Sequence, residues 1–408
     1  MKKKDLSKKI LWISLMAPYD TVSHAGGKIE NYYLKKAHSS HELDLMLVTF
    51  CKEDEVSKLD LEQYGINHKM VIRKRNGILG LGQKGIAWLS KFNIFNQYAG
   101  LTPCDISRGV QKKLAELKTE QYEPDLIVVQ WTEILFLLPH IQKQFPNVPI
   151  ISIEEDVSFL GLQRRRDYAK NPLFKAFYKY KYNKVKKLEL KYLTECKLVI
   201  LNNRKDYNLL LNEGFNNKVW IWTPYFQSYL NKDAICNTKN IVFYGAMFRE
   251  ENWRSACWFI EKVLPKLSNS DVRFVIVGGS PNPKLYQYKD TRIQIKGFVE
   301  DISAELSCAM CLVAPLVLGA GIKIKVLEAL SCGIPVLTNK IGIEGIPAVN
   351  KKSYFHCETP DEYVDVINQL LNNSISLGDI EYNSKKLITD NFNFNKDAKT
   401  FISILCEE

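Results

Sequence analysis

The stretch PLVLGAGIKIKVLEALSCGIPVLTN, Pro315 to Asn339, holds a Gly-Ala-Gly turn, a helical pattern and a strand start in one run. Val326, Leu327, Ala329 and Leu330 form one apolar face, and Gly333 stands where helices are commonly capped at their carboxyl end. Pro335 then opens a strand. The pattern predicts a helix beginning close to Gly321 or Ile322, with Lys323 and Lys325 in its first turn and Glu328 deeper. A helix amino end carries unpaired N–H groups and the positive end of the dipole, so it favours anions over added cations. Two lysines there call for a bound anion. A diphosphate takes the N–H groups and both ammonium groups together, and Glu328 can accept hydrogen bonds from a cis-diol such as ribose. Charged hydrogen bonds of this kind contribute roughly 1.5–3 kcal/mol each in a shielded site. Taken singly, each of the three charged residues would suit a solvated surface; their grouping behind the glycine turn favours the anion site.

Working outward, short β-type runs recur with amphipathic stretches between them. ILWISLM, LDLMLVTF, DLIVVQW, IISI, KLVILN and VWIW lie in the first half, and NIVFYG, VRFVIVGG, RIQIKG, MCLVAPL and IPVLTN in the second. Runs of Val, Ile and Leu bounded by Gly, Pro or Asn point to parallel sheets buried on both faces. Each half therefore reads as a doubly wound, Rossmann-like α/β domain, and two such domains facing across a cleft can share one ligand. The polar segment Thr223 to Asn240 marks the boundary. The expected organisation is one Rossmann-like domain over 1–224, a second over 225–390 and a closing helix over 391–408, read as packing on the second domain.

The chain has 408 residues, 46% apolar and 25% charged, which fits two folded domains without low-complexity tracts. Its net charge of +11 suits nucleic acid, an anionic membrane face or a phosphorylated substrate without choosing among them. The ten cysteines follow no framework and read as reduced thiols. Cys308 and Cys311, with no second pair, read as packing at a helix end and a buried strand rather than as a zinc or redox motif. Ile10 to Met16 reads as a first strand rather than a signal peptide, and no run approaches the ~20 apolar residues of a membrane helix.

The stretch GAGIKIKVLEALSCGIPVLTNKIGIEGI, with IVFYGAMFREENWRSACWFIEKVLP, VRFVIVGGSP and IKGFVEDI upstream of it, resembles glycosyltransferase family 4, the group 1 glycosyltransferases of GT-B fold. The resemblance covers the second half closely and the first half diffusely, chiefly in strand order and the Gly26-Gly27 loop. It implies that Glu328 holds the donor ribose and that Lys323, Lys325 and Arg249 face the donor diphosphate, next to Gly321 and Ile322. It further implies that Gly297, Phe298 and Val299 line the base pocket, that Gly26 and Gly27 approach the phosphates, and that the anomeric configuration is retained.

Many relatives carry Glu-x7-Glu, where this chain has Ala320; a subgroup with Gly-x-Gly-x-Lys-x-Lys shares that departure. Relatives often place a His-Asp pair after the fourth strand of the first domain, where this chain reads SIEEDVSF, so Glu154, Glu155 or Asp156 would serve. His24 and Asp156 are the acceptor-side candidates.

No Asp-x-Asp motif is present, so no metal and no further cofactor is expected. The tract Arg164 to Lys191 interleaves lysines and arginines with aromatics, which suits an anionic membrane surface, a helix covering the sheet or, less well, nucleic acid. The expected function is a glycosyltransferase moving a sugar from a nucleotide-sugar to a glycan or lipid-linked acceptor, cytoplasmic and peripheral at the inner membrane face. The alternatives are a sugar-nucleotide epimerase of related fold and a non-catalytic binder of anionic polymers. A dehydrogenase is disfavoured because no Gly-x-Gly-x-x-Gly follows the first strand.

Overall fold

The structure, a computed structural model, describes residues 7–22, 24–73, 98–231 and 238–408. Its contacts divide the chain into two units, one of residues 1–225 with 394–408 and one of residues 226–393. Each is built on its own parallel sheet.

The first unit runs β1 (Lys8–Ile13), α1 (Ala25–His38), β2 (Leu43–Lys52), β3 (Asn67–Arg73), α2 (Cys104–Thr119), β4 (Leu126–Gln130), α3 (Thr132–Leu135), α4 (Leu138–Gln144) and β5 (Ile150–Glu154). It continues through α5 (Ser158–Tyr168), α6 (Pro172–Glu195), β6 (Leu198–Leu201), α7 (Arg204–Asn212) and β7 (Val219–Ile221). The sheet order is β3-β2-β1-β4-β5-β6-β7, and its central strands β4, β5 and β6 are buried at every residue, as helices on both faces require. β3 is the strand that apolar runs do not announce. It is an edge strand, and His68 and Lys69 face partly to solvent.

The second unit runs β8 (Asn240–Tyr244), α8 (Glu250–Lys262), β9 (Arg273–Val277), β10 (Ile293–Gly297), α9 (Ser303–Ser307), β11 (Cys311–Ala314), α10 (Ile324–Cys332), β12 (Val336–Thr338), β13 (Phe355–His356), α11 (Pro360–Leu371) and α12 (Leu377–Asn391). The sheet order is β10-β9-β8-β11-β12-β13. Cys308 caps α9 and Cys311 is buried in β11, both as free thiols.

The last helix, α13 (Phe394–Glu407), departs from its expected place: it packs on the first unit, not the second. The reason is aromatic. Phe401 is fully buried and meets Trp12, Tyr33 and Trp222 edge-on at ring-centre distances of 5.8, 5.9 and 5.3 Å. Asp397 accepts a hydrogen bond from the Thr223 amide at 2.6 Å. Sequence periodicity shows that Ala398, Phe401 and Leu405 share a face, but it does not show which sheet that face meets.

Candidate functional site

In the second sheet, chain connections leave β8 and β11 in opposite directions, which opens a crevice at the carboxyl ends of these neighbouring strands. Tyr244 and Gly245 end β8 at that crevice, and α10 follows β11 into it.

The helix starts later than its sequence pattern suggests. Gly319 and Gly321 adopt φ of 124° and 69°, and Lys323 is extended, so helical geometry begins at Ile324. Lys323 is thus the cap residue and Lys325 alone lies in the first turn. No side chain caps this amino end and no acid lies in its first turn. Gly333 closes the helix with φ of 82°, as expected.

Lys325 Nζ donates to Asn252 Oδ1 at 2.6 Å and lies 4.7 Å from the centre of the Phe243 ring. Asn252 is oriented by donating from Nδ2 to the Ala246 carbonyl at 3.0 Å. Gly245 makes room for the ammonium group, since a Cβ there would stand 2.8 Å from Nζ. Burial pushes the Lys325 pKa down to about 7; Glu251 and Glu328 pull it up, while Arg249 and Lys323 add to the depression.

Lys323 is buried and turns its ammonium group to the carbonyls of Ala320, at 3.1 Å, and Gly321, with Glu344 Oε2 at 3.8 Å. Glu328 is almost wholly buried and accepts a hydrogen bond from the Tyr244 hydroxyl, whose pKa is raised far by burial and by that carboxylate. The crevice therefore brings Lys323, Lys325 and Glu328 together. Gly321 is buried and Ile322 half-buried in the same loop.

Arg249, at the start of α8, is half-exposed and paired with Glu251 at 2.6 Å. At the carboxyl end of edge strand β10, Gly297 has φ of 71°, Val299 is half-buried and Phe298 is 63% exposed.

In the first sheet the same switch in direction falls between β1 and β4. His24 caps α1 there, its Nδ1 accepting from the Gly27 amide at 3.0 Å, and its ring centre lies 6.2 Å from that of Trp131. The glycines have a local reason: a Cβ on Gly26 would stand 2.2 Å from Trp131 Cη2, and one on Gly27 2.5 Å from His24 Cε1. Trp131, with φ of 78°, is the strained residue at the end of β4, and its indole N–H reaches Glu30 Oε2 at 3.2 Å.

The three acids at the end of β5 have different environments. Glu154 is buried, accepts from the Ser152 and Thr132 hydroxyls at 2.6 Å each, and has its pKa pushed up to about 8 by burial. Glu155 is gripped at both oxygens, by Gln130 Nε2 at 2.9 Å and Asn202 Nδ2 at 3.0 Å. Those amides are aimed in turn by Trp12, which donates to Gln130 at 3.1 Å, and Trp222, which donates to Asn202 at 2.7 Å. Burial pushes Glu155 up to about 7. Asp156 is half-buried in the turn before α5. With β4 between β1 and β5, the strands leading to His24 and Asp156 lie about 9–10 Å apart.

Among the described residues, no group of three His, Cys, Asp or Glu side chains is placed to hold a metal ion. Asn252, Tyr244, Glu344, Gln130, Asn202 and Trp131 went unread in the sequence as site residues. The signal for four of them is strand-end position: Tyr244, Gln130, Trp131 and Asn202 stand at or just beyond the carboxyl ends of β8, β4 and β6.

Residues 238–373 match the family model described as glycosyl transferases group 1. An uncharacterized 44.6 kDa protein from the cps region of Klebsiella pneumoniae is 22% identical, covering 98% of this chain and 99% of that protein. The fold is shared with Anabaena HepE, solved with UDP and glucose, at 15% identity and a TM-score of 0.67 over 98% of this chain and 100% of that one. It is also shared with a Staphylococcus aureus TarM variant, solved with fondaparinux, α-GlcNAc-glycerol and UDP, at 12% identity and a TM-score of 0.66 over 98% and 100%. The chain has the GT-B fold of these structures, and the match to the group 1 glycosyltransferase model lies within its second unit.

Proposed function

We propose that this glycosyltransferase moves a sugar from a nucleotide-sugar donor to a glycan or lipid-linked acceptor, with retention and with positive side chains in place of a metal at the diphosphate. The observation that carries the reading is a half-buried lysine of depressed pKa, Lys325, beside the buried Lys323 at the uncapped amino end of α10, with Glu328 deeper on the same helix. UDP in the HepE and TarM structures makes a nucleoside diphosphate the natural occupant.

In this reading Glu328, oriented by Tyr244, holds the ribose, and Phe298 stacks on the base between Gly297 and Val299. The α10 amides, Lys323, Lys325 and Arg249 meet the diphosphate. As the bond from the anomeric carbon to the phosphate oxygen breaks, negative charge grows on the leaving group, and these fixed donors stabilise it more than they stabilise the intact donor. The acceptor hydroxyl bonds to the anomeric carbon on the same face, and its proton passes to the departing phosphate oxygen. Asp156 and His24 are assigned to the acceptor side.

Thermal shift against UDP, GDP, ADP, CDP and dTDP tests the donor site. One nucleotide is expected to stabilise the protein, and Glu328→Ala to reduce that shift by about ten-fold in affinity, as loss of a charged hydrogen bond implies. If none stabilises the protein at millimolar concentration, the donor reading fails.

The depressed Lys325 pKa adds a pH signature. A diphosphate favours the protonated amine, so binding takes up a proton when the free site is neutral. Affinity is expected to be highest below pH about 7 and to fall as pH rises above it, by up to about ten-fold per unit until the pKa of the liganded lysine is reached. Calorimetry in buffers of different ionisation enthalpy reads the proton uptake directly, and its absence at pH 8 would refute the assignment.

A lipid-linked acceptor would place this reaction at the cytoplasmic face of a membrane. Among the described residues no helix is long and apolar enough to cross one.

A further inference from the structure

The tract Arg164 to Lys191 belongs to neither crevice, and the structure divides it into two parts with different surroundings. α5 and α6 pack on each other as an antiparallel hairpin joined through residues 169–171. One end is anchored. Glu189 of α6 accepts from the Ser158 and Phe159 amides at 2.8 and 3.1 Å, and Val185, Glu189 and Tyr192 are buried. Farther along, the Arg166 guanidinium lies 5.2 Å from the Tyr182 ring centre.

The other end is exposed. Asn171 caps α6 by accepting from the Leu173 amide at 2.8 Å, with Pro172 at the helix start, which sets Leu173 and Phe174 in the first turn. Leu173 is 79% exposed and Phe174 54%, with Tyr168 and Tyr180 exposed beside them. Lys170, Lys175 and Lys179 are exposed on the same apex. Asp167, the one acid between Arg164 and Lys187, is paired with Arg166 at 2.8 Å. About 24 Å of helix separates Leu173 from the anchored Glu189.

Two adjacent apolar side chains in water, ringed by cations, fit a surface that offers hydrocarbon and negative charge together. Nucleic acid offers the charge but no apolar layer for an aliphatic side chain, and an apolar protein groove leaves the lysines without counterions. We propose that the apex of the α5–α6 hairpin docks on an anionic phospholipid surface. Leu173 and Phe174 enter the boundary between headgroups and acyl chains, Tyr168 and Tyr180 lie at headgroup level, and the lysines meet lipid phosphates. The proposal uses none of the crevice residues, so it stands or falls separately from the donor site.

Sedimentation of the full chain with phosphatidylcholine vesicles, with and without phosphatidylglycerol, tests it. Retention is expected on the phosphatidylglycerol vesicles and is expected to weaken as salt rises. Leu173→Ser with Phe174→Ser is expected to lower partitioning about ten-fold or more, and a variant combining Lys170→Glu, Lys175→Glu and Lys179→Glu about five-fold or more per lysine. The thermal unfolding transition should stay cooperative in both variants, which separates lost docking from lost folding. No retention by the parent chain, equal retention on neutral vesicles, or retention unchanged in both variants would overturn the proposal. Capture by a single-stranded oligonucleotide that is lost in the lysine variant but kept in the Leu173/Phe174 variant would assign the surface to nucleic acid instead.

Discussion

Lys325→Met is expected to weaken nucleoside diphosphate binding by about 2–4 kcal/mol, roughly 30- to 1000-fold in Kd, while making the unliganded protein more stable. The two effects have one cause. The ammonium group is held largely out of water against Phe243, with Asn252 as its hydrogen-bond acceptor and two other cations in its field. Without ligand this arrangement is unfavourable, as the pKa near 7 records. The sign follows from proton counting. Between pH about 7 and the ordinary value of 10.5 the unfolded chain holds a proton on this lysine that the folded chain has released. The destabilisation is therefore complete below pH about 7 and fades as pH rises toward 10.5. Methionine keeps the length and the apolar stem and removes the charge, so the unliganded variant should gain about 1–2 kcal/mol at neutral pH. Thermal unfolding with and without UDP reads both effects in one experiment. A variant that binds UDP as well as the parent would remove Lys325 from the diphosphate site.

Phe401→Ala is expected to destabilise the first unit by about 3–5 kcal/mol, the usual cost of truncating a fully buried aromatic side chain. The ring is central to the attachment of α13, meeting Trp12, Tyr33 and Trp222 edge-on and stacking on Trp220 at 6.3 Å. Because the crevice proposed for the donor lies in the other unit, the unfolding step that responds to nucleotide should be the one that moves less. Denaturant unfolding followed by tryptophan fluorescence, with and without UDP, separates the two. A shift below about 1 kcal/mol would mean that α13 is held by its polar contacts, Asp397 to Thr223 and Glu408 to Lys197.

These effects differ in how far they could be read in advance. The run from Pro315 to Asn339 determined a helix with a buried face and a glycine cap, because periodicity and end signals are local properties of the chain. The alternation of apolar runs with amphipathic stretches determined two parallel sheets, since strands buried on both faces leave no polar side to disguise them. Edge strand β3 escaped for the opposite reason.

What each charge meets was decided only by the tertiary structure. Lys323 and Lys325 look alike in sequence, yet one turns to carbonyls and Glu344, while the other is held against Phe243 and Asn252 from distant elements. Gly26 reads as room for a ligand, but its nearest neighbour is the Trp131 ring from β4's end. Glu154, Glu155 and Asp156 are consecutive, and only strand pairing shows that one faces hydroxyls in the core while the next is clamped by two amides backed by Trp12 and Trp222. Desolvation and hydrogen-bond geometry depend on atoms brought from far along the chain, whereas helix and strand patterns depend on neighbours within it.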